Sequence, residues 1–187
     1  MITFDPFPVL ETKNLILRRM EHRDIHDVLE MRKDSRMHEY TDTRPDETPE
    51  ETKAYIEKMN NGIDENKWII WAIEHRQSKK VIGSISIWNI NLEEGSGELG
   101  YGINPEYQGR GFMKEALLEV IDFGFDKMKL TALDAYTEEN NMKSNKLLES
   151  CKFTEIDRVD DQGYYSNRVY HMVVYRLENT NQVDNRI

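Results

Sequence analysis

The sequence predicts an α/β protein built on one mixed, mostly antiparallel sheet of about seven strands, with about four helices on its two faces. Three observations carry this. Apolar runs with strand character alternate with segments of helical spacing in the order β-α-α-β-β-β-α-β-α-β-β. The 187 residues, 38 % hydrophobic and 10 % aromatic, suffice for one core. A mean hydropathy of -0.76 leaves a heavily charged surface around it.

The elements follow in order. LILRRM (15–20) comes after a TKN turn and forms the first strand. In EHRDIHDVLEMRKD, the residues Ile25, Val28, Leu29 and Arg32 fall at helical spacing, with Asp24 or the residues just before it as cap. The next helix starts at a capping box, with Thr48 as N-cap, Pro49 at N1 and Glu51 at N3; Tyr55, Ile56 and Met59 form its apolar stripe. KWIIWAIEHR (67–76) and KVIGSISIWNI (80–90), joined through the polar QSKK turn, read as a hairpin. GELGYGI (97–103) is a further strand, whose three glycines indicate a bulge or a close backbone approach. A helix from about Met113 to Lys127 buries Ala116, Leu117, Val120, Ile121 and Phe125. LDAYTE, NMKSNKLLESC, FTEIDRV and NRVYHMVVYRL then give strand, helix, strand and a final long strand. Residues 1–178 read as a single domain and 179–187 as a flexible C-terminal tail, with no repeat or low-complexity tract.

Composition excludes several functions. A net charge of -10 argues against nucleic-acid binding and suits a cationic substrate such as an amine. Cys151 is the one cysteine, so there is neither an internal disulfide nor a cysteine zinc cluster. The N-terminus lacks a basic region followed by an apolar one, and the longest apolar runs, such as WIIWAI (68–73), are far too short to span a bilayer. The expectation is a cytoplasmic protein with no membrane partner, monomeric or homodimeric.

EYQGRGFMKEAL (106–117) sets two glycines and an arginine at a helix start. The first N–H groups of a helix have no intrahelical acceptor, and the dipole places partial positive charge there. Gly109 and Gly111 keep side chains out of an anion's way and Arg110 adds a full charge, which makes a receptor of pyrophosphate size. A tight turn alone also accounts for the glycines. Walker A is absent, because no G-K-[ST] follows, and G-x-G-x-x-G is incomplete.

In this context Gln108-x-x-Gly111-x-Met113 resembles the acetyl-CoA motif Q/R-x-x-G-x-G/A of the GNAT N-acetyltransferase superfamily, with Met113 in place of Gly or Ala. NMKSNKLLESCKF (141–153) is similar to the family's N-x-x-S-x-x-x-L-E-x-x-G-F segment, with Lys152 where glycine is usual. ETKNLILRRMEHRDIHDVLEMR resembles the opening T-x-R-L-x-L-R-x-x-x-x-x-D strand and helix of the branch that acetylates ribosomal-protein N-termini.

This resemblance implies a GNAT fold whose sheet splays between its fourth and fifth strands (97–103 and 133–138), with acetyl-CoA in the gap and no metal. It implies that backbone groups of Tyr101, Gly102 and Ile103 pair with the pantetheine arm. The pyrophosphate then lies on Gln108, Gly109, Arg110, Gly111, Phe112 and Met113. Glu98 is the base implied for deprotonating the acceptor, acting through water; an ion-pair or anchoring role is the alternative. Glu93, Glu94, His75 and His38 are less well placed. Leu148 stands where many members carry a tyrosine acid, so Ser144 takes that role by hydrogen-bonding the thiolate sulfur. Asn141 either caps the helix or binds a pantetheine amide, and capping alone is open for Ser144 as well. Tyr101, Trp88, Tyr136 and Tyr170 are cleft aromatics or core residues, and Cys151 is core. The acceptor implied is a primary amine, above all a protein N-terminal α-amine such as a ribosomal protein's. A polyamine or aminoglycoside is the alternative within the enzyme class, and a non-catalytic acyl-CoA-binding protein the alternative outside it. The segments MHEYTDTRPDET and DDQGYYSN are expected to shape the acceptor site.

Overall fold

The computed structural model describes residues 2–180. Its sheet has eight strands, in the spatial order β1-β2-β3-β4-β5-β6-β8-β7. They are β1 (Leu10–Glu11), β2 (Leu15–Arg18), β3 (Ile69–His75), β4 (Val81–Asn91), β5 (Ser96–Ile103), β6 (Ala132–Glu138), β7 (Thr154–Gln162) and β8 (Val169–Glu178). Four α-helices accompany them: α1 (Ile25–Lys33), α2 (Pro49–Asp64), α3 (Phe112–Asp122) and α4 (Met142–Ser150). The predicted mixed α/β class and element order hold. The strand that raises the count to eight is β1, whose two residues, pairing Leu10 with Leu17 and Glu11 with Ile16, are too few to carry a hydrophobic period.

Local chemistry explains most boundaries. Thr48 Oγ1 accepts the Glu51 N–H at 3.3 Å and Glu51 returns a bond to the Thr48 N–H at 3.2 Å, so α2 begins on the predicted capping box with Pro49 at N1. The predicted helix from Met113 to Lys127 divides in two: α3 ends at Asp122, and Phe123–Lys127 winds as a π turn closed by Met128 N–H on Phe123 O at 3.1 Å. The turn sits over the sheet, where a Cβ on Gly124 would lie 3.3 Å from both Ile87 and Leu133.

The helices cover both faces. Trp71, fully buried, packs edge-on against Phe123 with ring centroids 5.2 Å apart, which places the α3 segment on the face carrying Ile85, Ile87, Leu99 and Leu133. α1 and α2 cover the opposite face, that of Ile70, Ser84, Ser86 and Gly100. Asn179 packs at 7 % exposure and its N–H donates to Thr131 O at 2.8 Å, fastening the end of β8; of the expected tail, residues 181–187 lie outside the described residues. No helix among the described residues is long and apolar enough to cross a membrane.

All neighbouring strands are antiparallel except β5 and β6. That parallel pair holds only from Ser96–Leu99 against Ala132–Ala135, and beyond it the strands part. The splay expected between strands 97–103 and 133–138 is therefore present, and it frees one edge of β5 from Gly100 onward.

Candidate active site

The turn after β5 is built by a side-chain cap and two glycines. Asn104 Oδ1 accepts the Glu106 N–H at 3.0 Å, starting the short 3-10 turn Pro105–Tyr107. Gly109 (φ 74°) and Gly111 (φ 81°) both lie in the left-handed region, and Gly111 is the N-cap of α3. A Cβ added at either glycine meets nothing within 4 Å. Backbone conformation selects glycine here, and the space before the turn is open. The first bond of α3 runs from Glu115 N–H to Gly111 O at 3.1 Å, so the N–H groups of Phe112, Met113 and Lys114 have no intrahelical acceptor. Met113 turns its side chain into the core, at 8 % exposure, and offers the turn only its backbone. Arg110 lies over the Tyr107 ring at 5.3 Å, and Phe112 packs 4.9 Å from the His75 ring.

α4 closes against this turn. Asn141 caps it, its Oδ1 accepting the Ser144 N–H at 3.3 Å, while Lys143 Nζ donates to Gln108 Oε1 at 2.9 Å. Gln108 Nε2 in turn reaches Ile103 O at 3.4 Å. Ser144 Oγ and Tyr101 Oη are hydrogen-bonded at 2.8 Å, which joins α4 to β5 across the splay. Burial pushes the Tyr101 phenol up to about 12, so it is neutral throughout the physiological range. Leu148, at the position of the missing tyrosine, is fully buried.

The free edge of β5 has a defined hydrogen-bonding pattern. Asn104 N–H donates to Ile82 O at 2.7 Å. Alternation along the antiparallel ladder then turns the backbone groups of Gly102 and Gly100 toward β4, and those of Ile103 and Tyr101 toward the splay. Two buried polar atoms without a partner flank the same region: Thr137 Oγ1 on β6 and Asn145 Oδ1 on α4. Neither residue stands out in the sequence, because a buried Thr in a strand and a polar helix residue look ordinary there.

On the opposite face of the splay lies a cavity of about 500 Å³ between the sheet, α1, α2 and the loop that links them. Its floor is Ser84, Ser86, Gly100 and Gly102. A Cβ on Gly100 would stand 2.9 Å from Ser86 Oγ, and one on Gly102 would stand 3.1 Å from Met37 Cε, so the glycine-rich strand serves close approach. Trp88 and Tyr101 both line the cavity, whereas Tyr136 is exposed and Tyr170 is core, its hydroxyl bonded to Thr41 O at 3.4 Å. Cys151 is buried, as expected.

Glu98 stands on the same face as this cavity but does not line it. Its cross-strand neighbours are Trp88 and Asp134, and its Oε2 accepts from Asn89 Nδ2 at 3.0 Å. Burial raises its pKa, the Asn89 bond opposes that, and the Asp134 charge adds to the rise. His38 does line the cavity, yet both its ring nitrogens are engaged. Nε2 lies 2.7 Å from Arg32 O and so must carry the proton, and Nδ1 meets Thr43 Oγ1 at 2.6 Å. Glu93 and Glu94 belong to a turn whose N–H groups bond Asn91 Oδ1, and His75 belongs to the glycine-turn side.

The two segments expected to shape the acceptor site do so unequally. Met37, His38, Thr41 and Thr43 line the cavity, and no residue of 160–167 does. The β7–β8 tip instead holds the loop. Asp42 accepts the N–H groups of Tyr164 and Tyr165 and the Ser166 hydroxyl, and Arg168 donates to Glu39 O at 3.0 Å.

One solved structure of this fold, the ribosomal-protein-S5-alanine acetyltransferase of Vibrio fischeri, superposes with a TM-score of 0.80 at 23 % identity, covering 93 % of this chain and 98 % of that one. Relatives by sequence are acetyltransferases too. The uncharacterized N-acetyltransferase YoaA of Bacillus subtilis (strain 168) is 28 % identical over 91 % of this chain and 97 % of its own. The spermidine N(1)-acetyltransferase of Vibrio cholerae is 26 % identical over 82 % and 87 %. The family profile described as "Acetyltransferase (GNAT) domain" matches residues 14–154, and the chain belongs to that family. It is an acetyl-CoA-dependent N-acetyltransferase. The open N–H turn, the free β5 edge and the two orphaned polar atoms fit that cosubstrate. Among the described residues no group of three or more His, Cys, Asp or Glu is arranged to hold a metal.

Proposed function

We propose that this enzyme acetylates the α-amine at the N-terminus of a protein, of the kind that the ribosomal-protein branch modifies, with residues 1–178 acting as one catalytic domain in the cytoplasm. The observation that carries the reading is the lining of the cavity at Gly100–Gly102, which contains no carboxylate. A polyamine or aminoglycoside brings several ammonium groups into its site, and each needs an acidic partner when desolvated. Of the two charged side chains lining the cavity, Arg32 is closed onto Asp46 and Lys58 is itself a cation, so neither supplies that partner.

The residues then divide the work. Acetyl-CoA supplies an activated acetyl group. The backbone of Tyr101 and Ile103, with Thr137, Asn145 and Asn141, would hold its pantetheine arm, and Gln108–Met113 with Arg110 its pyrophosphate. Glu98 takes the acceptor's proton through water. Its raised pKa makes it a better base than an exposed glutamate and moves the acidic limb of the rate profile upward. The buried Glu138 competes poorly for this role, since Asn140 N–H and Nδ2 occupy its two oxygens at 2.8 and 3.0 Å. Tyr101, the more acidic hydroxyl of its pair, donates to Ser144 and leaves the serine proton directed at the departing sulfur.

The test incubates the protein and acetyl-CoA with peptides bearing a free N-terminus, with spermidine and with an aminoglycoside, following thiol release and locating the acetyl group by mass spectrometry. Peptide turnover without spermidine turnover is the expected result. Turnover of spermidine alone refutes the N-terminal reading, and CoA binding without any turnover returns the non-catalytic one. Glu98→Gln should lower kcat/KM by about 10²-fold, the lower range for a general base, and abolish the acidic limb. An unchanged limb removes Glu98 from the role.

A further inference from the structure

We infer that the acceptor's first residue carries a bulky apolar side chain, a refinement that rests on the N-terminal reading. The cavity that opens on the splay holds about 500 Å³, far more than the methyl of alanine or the hydroxymethyl of serine would fill. Its walls are mostly apolar. Met20, Met31, Met37 and Met59 enter it from four different segments of the chain, joined by Trp68 and Ile70. An unfilled apolar hole of this size gives up the dispersion contacts and the water release that a side chain in it would gain.

Charge narrows the choice further. Arg32 is already satisfied: Asp46 Oδ2 accepts from its Nε at 2.6 Å, and its guanidinium lies 3.7 Å over the Tyr55 ring. It therefore presents a closed ion pair to the cavity. Lys58 stands on the lining with no carboxylate among its cavity neighbours, so a basic acceptor residue is repelled. An acidic one would be drawn to Lys58 but would have to leave water for a largely apolar surface, and the exposed Lys58 offsets little of that cost. Methionine is unbranched and adaptable, so the pocket takes leucine, methionine and phenylalanine alike rather than one shape. The hydroxyls of Ser84 and Ser86 on the floor remain for the acceptor's own backbone, next to the glycines where the amine must arrive.

The experiment measures kcat/KM for short peptides that differ only in the first residue: Leu, Met, Phe, Ala, Ser, Lys and Glu, with spermidine as a control amine. The apolar three should exceed Ala and Ser by about tenfold or more, as burial of a few extra carbons in a pocket gives, and Lys and Glu should be slowest. Ser84→Leu, which fills the floor, should cut the Leu-peptide rate about tenfold more than the Ala-peptide rate, with thermal melting and calorimetric CoA binding as the controls for folding. Ala or Ser peptides turned over as fast as Leu would overturn this inference and leave the N-terminal reading standing. Spermidine turnover with no peptide turnover would overturn both.

Discussion

Gly111→Asp is expected to weaken CoA binding by about two orders of magnitude while leaving the fold intact. Gly111 sits at φ 81° and ψ 1°, where aspartate and asparagine are the L-residues best tolerated, at a cost of about 1–2 kcal/mol. A Cβ there enters open space, so no neighbour has to move. The new carboxylate, however, would stand at the N–H groups that the pyrophosphate uses, and would compete for them as well as repel it. Two like charges about 4 Å apart at a protein surface repel by about 4 kcal/mol, or roughly three decades before salt screening. Gly111→Asn imposes the same backbone strain without the charge and should keep most of the affinity. Calorimetric titration with CoA, beside thermal melting of each variant, separates the two effects. Equal losses in Asp and Asn would mean that the turn acts by shape alone. No loss in either would leave the glycines as a turn and nothing more.

How far the sequence revealed this site depended on how local each signal is. The capping box of α2 spans four residues, so Thr48, Pro49 and Glu51 announce themselves and the structure repeats them atom for atom. The β3–β4 hairpin is read as easily, because long apolar runs flank a polar turn. The splay is different. A parallel pairing that stops after Leu99 leaves no period in either strand, and only the resemblance carried by Gln108–Met113 and Asn141–Phe153 pointed to it. The Tyr101–Ser144 bond joins residues 43 apart in sequence, and the Lys143–Gln108 bond residues 35 apart, so neither pairing leaves a local trace. The same holds for the cavity. Its methionines at 20, 31, 37 and 59 read as ordinary apolar positions, and Tyr55 and Met59 were legible only as a helix stripe. That stripe proves to be shared: Ile56 is in the core at 0 % exposure, while its two neighbours face the cavity.

Tyr101→Phe and Ser144→Ala should each lower kcat by about 10²-fold with little change in CoA affinity, and the double variant should be no slower than the slower single one. The reasoning starts from relative acidity. A thiol titrates near about 8.5, far below a phenol raised to about 12, so neither hydroxyl hands its proton fully to the departing thiolate. What the pair offers is a charge-assisted hydrogen bond to sulfur that strengthens as negative charge develops there, an interaction made chiefly in the transition state. Removing the phenol frees the serine hydroxyl to turn elsewhere; removing the serine leaves the phenol without a relay. Each loss disables the same bond, which is why the losses should not multiply. Ser144→Thr keeps a hydroxyl and should restore much of the rate, which a role limited to packing or to the start of α4 would not require. Because Tyr101 stays protonated up to about pH 12, the alkaline side of the wild-type profile should show no limb from it within the working range. Multiplying losses in the double variant would make the two residues independent. An unchanged kcat in Tyr101→Phe would reduce the phenol to a strut between β5 and α4.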